Sequence, residues 1–254
     1  MLLVGLTSLS LLIYLLLSFL VSFTLHETAH AAVAYLLGDS TAREHGRLTL
    51  NPLAHLDRFG TLLLLTVGLG WGKPVPVNPF RFRNVPPKVG MGIVALAGPV
   101  TNFVLALGTA VLLMFKLFPF TPRLLIPVAW DIARRQAMGS LLGVPWQAIE
   151  PLLFSWGDLA AWFFWLNISL AVFNLIPFGP LDGSRILAAF LPDWWFYGLA
   201  RIELPLLGLF FGLILADRFF FHGTVLGNLI TPVGCFFWRL WIPYSSPLPI
   251  CTPL

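Results

Sequence analysis

From Leu2 to Leu37 the chain is built of apolar, small hydroxyl and aromatic residues, and the one break in that pattern is a polar pentad, His26-Glu27-Thr28-Ala29-His30. No charged residue precedes Glu27. So uninterrupted a run predicts a single helix that stops at Gly38-Asp39, because glycine adopts the left-handed backbone of a helix end at little cost. At 1.5 Å per residue the run is about 54 Å long, more than the roughly 40–45 Å of a bilayer with its headgroups, so one end protrudes or the helix tilts or breaks. The pentad lies about 17 Å beneath Gly38 if Gly38 marks a membrane surface, and near the interface if Met1 marks the opposite one.

A polar loop over 38–58 follows, and then a short apolar piece, FGTLLLLTVGLGWG (59–72), which holds four glycines. It is too brief to span comfortably and reads as a re-entrant, interfacial or β-hairpin-like segment. KPVPVNPFRFRNVPPK then lies on the side of the first loop. Longer apolar runs at about 89–117, 158–176, 204–221 and 224–242 predict further spans, with an irregular loop carrying Arg123, Asp131, Arg134, Arg135, Glu150 and Asp158 between the first two of them. The expected fold is an all-α polytopic membrane protein, a bundle of about 4–6 transmembrane helices with the re-entrant or β-hairpin-like segment after the first of them. One domain over 1–254 is expected, with a motif-bearing core over 10–191 and C-terminal helices over 192–254.

Composition fixes the solvent. The 254 residues are 58% hydrophobic and 10% charged, with a mean hydropathy of +0.87, where soluble domains carry roughly 25% charged residues. The net charge of +4 arises from Arg and Lys in short connections, as juxtamembrane cations do, and no basic run interleaved with aromatics suggests nucleic acid. Nine of the fifteen Lys and Arg (Arg43, Arg47, Arg58, Lys73, Arg81, Arg83, Lys88, Arg185 and Arg201) fall on the side of the first loop, which the positive-inside rule makes cytoplasmic, although Arg134-Arg135 count against it. The N-terminus lacks a basic signal-peptide start and is read as retained. Cys235 and Cys251 have no metal-ligand spacing and give no redox information.

H-E-x-x-H on a helix puts two imidazoles at i and i+4 on one face, near enough to share a metal ion, with the glutamate beside them. Satisfied polar residues between helices are the plain alternative. Against it stands the cost of ionisable groups at membrane depth, at least ~2.5–3.5 kcal/mol for one charge at a helix centre, which a bound cation offsets. Catalytic zinc takes three protein ligands and keeps a fourth position for water, so a third ligand is needed. The best candidate is Asp182 in NISLAVFNLIPFGPLDGSRIL (167–187), where Pro177, Gly179 and Pro180 interrupt the helix and turn the backbone irregular, as is tolerated where it lines a cavity. Asp182 also precedes GSRILAAFL and has the alternative of capping a short helix. His45, His55 and Asp57, in a loop with Arg residues, and His222 at the far end of a span are poorer candidates.

With these motifs the chain closely resembles the site-2 protease family of intramembrane zinc metalloproteases over about residues 10–191. The resemblance rests on HETAH, GRLTLNPLAHLD (46–57), GWGKPVPVNP (70–79), ALAGPVTNFVLAL (95–107) and FNLIPFGPLDGSRIL (173–187), in that order. It implies one zinc per chain, with His26 and His30 as ligands, Asp182 of the L-D-G motif as the third, and Glu27 as the catalytic glutamate. It implies that Asn174, in the N-x-x-P-x-x-P-L-D-G pattern, orients the substrate or helps stabilise the intermediate. Asn102, in Gly98-Pro99-x-x-Asn102, matches a helix motif read as architectural, an interhelical hydrogen bond. Arg58 departs from the proline expected there in the close subgroup. A PDZ domain has no room between the spans and no tail of CBS size follows, so a core-only member is expected.

What the resemblance implies is a zinc-dependent endopeptidase hydrolysing peptide bonds in or near transmembrane segments of membrane proteins. Its implied partners are the lipid bilayer and transmembrane substrates with helix-weak segments, since a helix shields its own peptide bonds until it unwinds. A multi-pass protein of the cell membrane with its active site toward the cytoplasm is expected. The competing reading is a catalytically silent membrane protein that uses the same metal cluster to capture substrates or partners; a metal transporter is disfavoured because the other spans hold few acidic or histidine residues.

Overall fold

The computed structural model describes residues 9–67, 71–115, 117, 156–220, 224–242 and 251. The expected loop residues Arg123, Asp131, Arg134, Arg135 and Glu150, and His222, lie outside them. Among the described residues the regular structure is helical throughout. Helix α1 is Leu9–Leu36, and three short helices follow, α2 Thr41–Glu44, α3 Pro52–His55 and α4 Arg58–Val67. After a single 3-10 turn at Pro79–Arg81 come α5 Pro87–Met114, α6 Trp156–Asn174, α7 Asp182–Phe190, α8 Asp193–Arg201, α9 Glu203–Phe220 and α10 Thr224–Trp241.

Among the described residues two helices are long and apolar enough to cross a membrane, Ile13–Leu36 and Pro87–Met114; Leu159–Asn174 and Pro205–Asp217 are shorter apolar helices. Only 33% and 39% of the most apolar windows of the two long helices are buried, so most of their surface faces outward. That outward surface is apolar: Leu17 and Val21 on α1 and Val100, Val104 and Leu107 on α5 are all exposed. Helices apolar all round belong to a lipid environment or a large core, and these are not enclosed by a core.

The end of α1 follows the glycine rule. Gly38 has φ +106°, the Asp39 amide donates to Ala34 O at 2.9 Å and the Gly38 amide to Tyr35 O at 3.0 Å, a Schellman ending. Asp39, fully buried, then accepts from the Thr41 amide at 3.0 Å and the Asn78 amide at 2.6 Å, which ties this end to the loop before the 3-10 turn. Two Asn-Pro pairs start local helices alike: Asn51 accepts from the Leu53 amide and Asn78 from the Phe80 amide, each with proline at the first helical position, where its missing N–H costs nothing.

The segment 59–72 differs in part from its sequence reading. Asp57 accepts from the Phe59 and Gly60 amides and thereby starts α4, so the piece opens as a helix; a lone antiparallel bridge, Leu56 with Gly72, is the nearest approach to a hairpin. Residues 68–70 lie outside the described residues. Arg47, 7% exposed, staples this region by donating from its guanidinium to the carbonyls of Ala54 and Lys73, and to Pro74 O at 3.3 Å.

Helices α1, α5 and α6 form the centre, with α7 packed on α5. Their contacts are lined by small residues, Ala31, Ala34, Ala95, Ala106, Ala110, Ala161 and Ala171, each no more than 2% exposed. In lipid, where apolar side chains gain nothing by leaving solvent, such residues favour association by letting backbones approach closely. Beyond Ala106 the core changes character: Phe164, Trp165 and Trp238 pack edge-on and stacked, and Cys235 is disulfide-bonded to Cys251 within the same cluster. The pairing corrects the reading that the cysteines carry no redox information, and 16 residues of separation gave no local signal for it.

Candidate metal centre

Four-residue spacing on two antiparallel helices builds the site. On α1 the stripe is Ser22, His26, His30; on α5 it is Val94, Gly98, Asn102; residues four apart share a helix face. Where the stripes meet, His30 Nδ1 lies 2.7 Å from Val94 O, and His26 Nδ1 lies 2.6 Å from Asn102 Oδ1. Between them Gly98 leaves the space the rings occupy: a Cβ there would stand 2.5 Å from His26 Cε1 and from His30 Nε2. Both imidazoles are buried, at 4% and 8% exposure.

The irregular stretch after α6 delivers the carboxylate. Pro177 to Pro180 break the helix, and Asp182 stands at the first residue of α7, while Leu181 occupies the cap position without a side-chain capping bond. Asp182 Oδ2 lies 3.2 Å from His26 Nε2 and 3.4 Å from His30 Nε2, and the two nitrogens are 3.0 Å apart. A carboxylate or imidazole atom from each of His26, Glu27 and His30 lies within 4.8 Å of the others, so Glu27 flanks the same point.

The chemistry of these donors tests the fit to a cation. A main-chain carbonyl only accepts, so His30 Nδ1 carries its proton and neutral His30 turns the bare Nε2 lone pair inward. Asp182 Oδ2 is buried and has no hydrogen-bond donor among the described residues. Lone pairs and a carboxylate facing one another repel unless a positive charge lies between them. Ligands at ~2.0–2.1 Å in tetrahedral array are about 3.3 Å apart, and the observed 3.0, 3.2 and 3.4 Å match that spacing, so the residues present fit zinc.

The donors open on a cavity of about 670 Å³, within the range of small-molecule sites. Its floor carries His26, Glu27, His30 and Asp182; its walls are mainly apolar, with Phe19, Phe23, Trp71, Phe173, Phe210 and Phe211. Asn174 also lines it, and its amide donates to Leu170 O at 2.9 Å, one turn back on its own helix. Irregular chain over residues 73–77, which Arg47 and the Lys73 amide bond to His55 O hold in place, contributes Pro74, Val75 and Val77 to the lining.

The remaining sequence candidates have other places. His55 is fully buried behind the pentad, its Nε2 donating to Thr49 O at 2.9 Å beside the Thr28 hydroxyl, a closeness that its loop context gave no reason to expect. His45 is exposed and donates to Thr41 O, and Asp57 starts α4. The residues that sequence reasoning undervalued are Gly98 and Asn102. Their spacing from each other and from Val94 is the signal that would have set them on one stripe.

Comparison with known proteins shows what the chain is similar to. A family profile described as "Peptidase family M50" matches residues 14–196. The Bacillus subtilis protein named "Putative zinc metalloprotease YwhC" is 40% identical over 185 residues, which cover 72% of this chain and 72% of that protein. "Putative zinc metalloprotease Rip2" of Mycolicibacterium smegmatis is 30% identical over 169 residues, 65% of this chain and 52% of that protein, so the match spans about half of the mycobacterial chain. No solved structure matches.

Proposed function

The chain belongs to peptidase family M50, and from that premise we propose that it is a zinc-dependent intramembrane endopeptidase of the site-2 protease type, hydrolysing peptide bonds in or near transmembrane segments of membrane proteins. The observation that carries the reading is the convergence of His26 Nε2, His30 Nε2 and Asp182 Oδ2 on one point, with Glu27 alongside, at the floor of a cavity among outward-apolar helices. His26, His30 and Asp182 hold one zinc per chain. Zinc, when bound, supplies Lewis acidity and makes water nucleophilic at neutral pH.

The chain's own residues do the rest. Glu27 takes the proton from the attacking water and returns it to the departing amine nitrogen, so one carboxylate serves as base and then acid. The mainly apolar walls exclude bulk water and strengthen every charge interaction at the floor. Asn174, with an amide at the cavity wall, orients an extended substrate segment or meets the oxygen that becomes negative. An intact helix offers no free peptide group, so substrates have helix-weak membrane segments that unwind into the cavity. We propose about 4–6 crossings of the bilayer, of which the two long and two shorter apolar helices among the described residues would supply four.

Purified protein in lipid vesicles is expected to cleave a transmembrane substrate with a helix-weak segment, to lose that activity on treatment with a zinc chelator and to regain it with added zinc. Cleavage that persists after measured removal of the metal would sink the proposal.

We also place the metal centre toward the cytoplasm. Arg43, Arg47, Lys73, Arg81, Arg83 and Lys88 surround the end of α1 nearest the pentad, as the positive-inside rule asks. The disulfide supports the same orientation from the other end: it belongs to the cluster with Ala106, Ala110 and Leu113, about 12–22 Å along α5 from Gly98, and disulfides persist in oxidising compartments. Protein extracted from cells with its thiols blocked and then denatured without reductant is expected to show no free thiol; two free thiols per chain would reverse the assignment.

A further inference from the structure

The neutral tautomer of His30 is fixed by a main-chain carbonyl, but that of His26 depends on side chains alone. Asn167 on α6, fully buried, donates from Nδ2 to Phe163 O at 2.8 Å and to Ser22 Oγ at 2.8 Å. Asn102 on α5, also fully buried, donates from Nδ2 to Asn167 Oδ1 at 2.8 Å, and its own Oδ1 lies 2.6 Å from His26 Nδ1. An amide's two ends are told apart by their partners. Here the sense of the chain is set at its far end. Phe163 O cannot donate, so the NH2 of Asn167 must face it; Asn167 Oδ1 then faces Asn102 and must receive, so Asn102 turns its NH2 to Asn167 and its oxygen to His26. Reversing either amide sets two acceptors 2.8 Å apart in a buried site.

We propose that Asn102, held in one sense by Asn167, is a positioning residue that keeps the proton of His26 on Nδ1 and so presents the bare Nε2 to the metal. The proposal rests on the zinc reading above for its consequence, but the tautomer is a property of the metal-free chain. A purely architectural asparagine between α1, α5 and α6 would be served by either orientation of its amide. The directed chain from Phe163 O to His26 is what an architectural role does not require. Outer partners of this kind typically contribute 10–100-fold to metal affinity, because they fix both ring orientation and the nitrogen left free.

The test uses full-length protein carrying isotope-labelled histidine, reading the two ring-nitrogen shifts of His26 by NMR in metal-free chains that also carry Asp182→Ala, so that no carboxylate competes at Nε2, at a pH where the ring is neutral, and zinc affinity by chelator competition in chains that keep Asp182. The parent is expected in the Nδ1–H form. Asn102→Leu should shift His26 toward Nε2–H and weaken zinc about 10–100-fold. Should Asn102→Leu fail to fold, Asn167→Leu decides: it leaves Asn102 in place without its directing partner, and a mixed tautomer with several-fold weaker zinc is expected. An unchanged tautomer in a folded Leu variant at either position overturns the proposal. A parent that binds no zinc sinks the metalloprotease reading instead, and the tautomer measurement still decides the role of Asn102.

Discussion

Glu27→Gln is expected to reduce cleavage of a transmembrane substrate by about 10²–10⁴-fold, the usual contribution of a general acid–base residue, while zinc content stays at the parental level. Gln keeps the length and shape of Glu but cannot accept a proton at neutral pH. Glu27 is not one of the three groups whose atoms lie 3.0–3.4 Å apart, so removing its charge leaves the donor set whole. Measuring zinc per chain together with turnover separates the enzyme from a silent metal-binding relative of it. Turnover by the variant equal to that of the parent would show that Glu27 moves no proton, and the mechanism would then be wrong even if the metal is present.

Gly98→Ala tests the space between the helices. The added methyl would lie 2.5 Å from His30 Nε2 and 2.6 Å from His26 Nε2, closer than non-bonded atoms approach. Either α1 and α5 separate or the rings turn away; overpacking of this kind costs about 1–3 kcal/mol even where no ligand is disturbed. Zinc affinity is expected to fall at least as far as for the loss of an outer hydrogen bond, about 10–100-fold or more, with activity lost alongside it. Gly108, on the same helix, is the control: a Cβ there meets nothing within 4 Å, and Ala favours a helix over Gly, so Gly108→Ala should leave zinc and melting temperature unimpaired. Equal zinc affinity for the parent and the Gly98 variant would mean that the donor cluster does not depend on the close approach of α5.

Much of the site was legible because its parts are local. Two histidines at i and i+4 with an intervening glutamate share a face on any helix, and a proline-broken stretch ending in Leu-Asp-Gly offers a carboxylate where a helix cannot continue. The helices were legible for the same reason: α5, α6, α9 and α10 lie within a few residues of the apolar runs at 89–117, 158–176, 204–221 and 224–242. The segment at 59–72 was harder. Its glycines and brevity suggested a re-entrant or hairpin piece, and the opening of α4 was decided by Asp57, whose carboxylate meets the Phe59 and Gly60 amides, a cap that the reading of the sequence did not use. The disulfide between Cys235 and Cys251 had no local signature at all.

The sequence by itself determined the membrane setting, the helical runs and the atoms able to bind a metal, since each follows from composition or from the geometry of one helix. The tertiary structure decided where those atoms point and how much room they have. Asp182 reaches the imidazoles only because α7 packs on α5, Gly98 matters only because α5 crosses α1 at the pentad, and the proton on His26 is set by a carbonyl on α6. A hydrogen-bond direction or a Cβ clearance is a relation between segments far apart in the chain, and it exists only once three helices have fixed their register against one another.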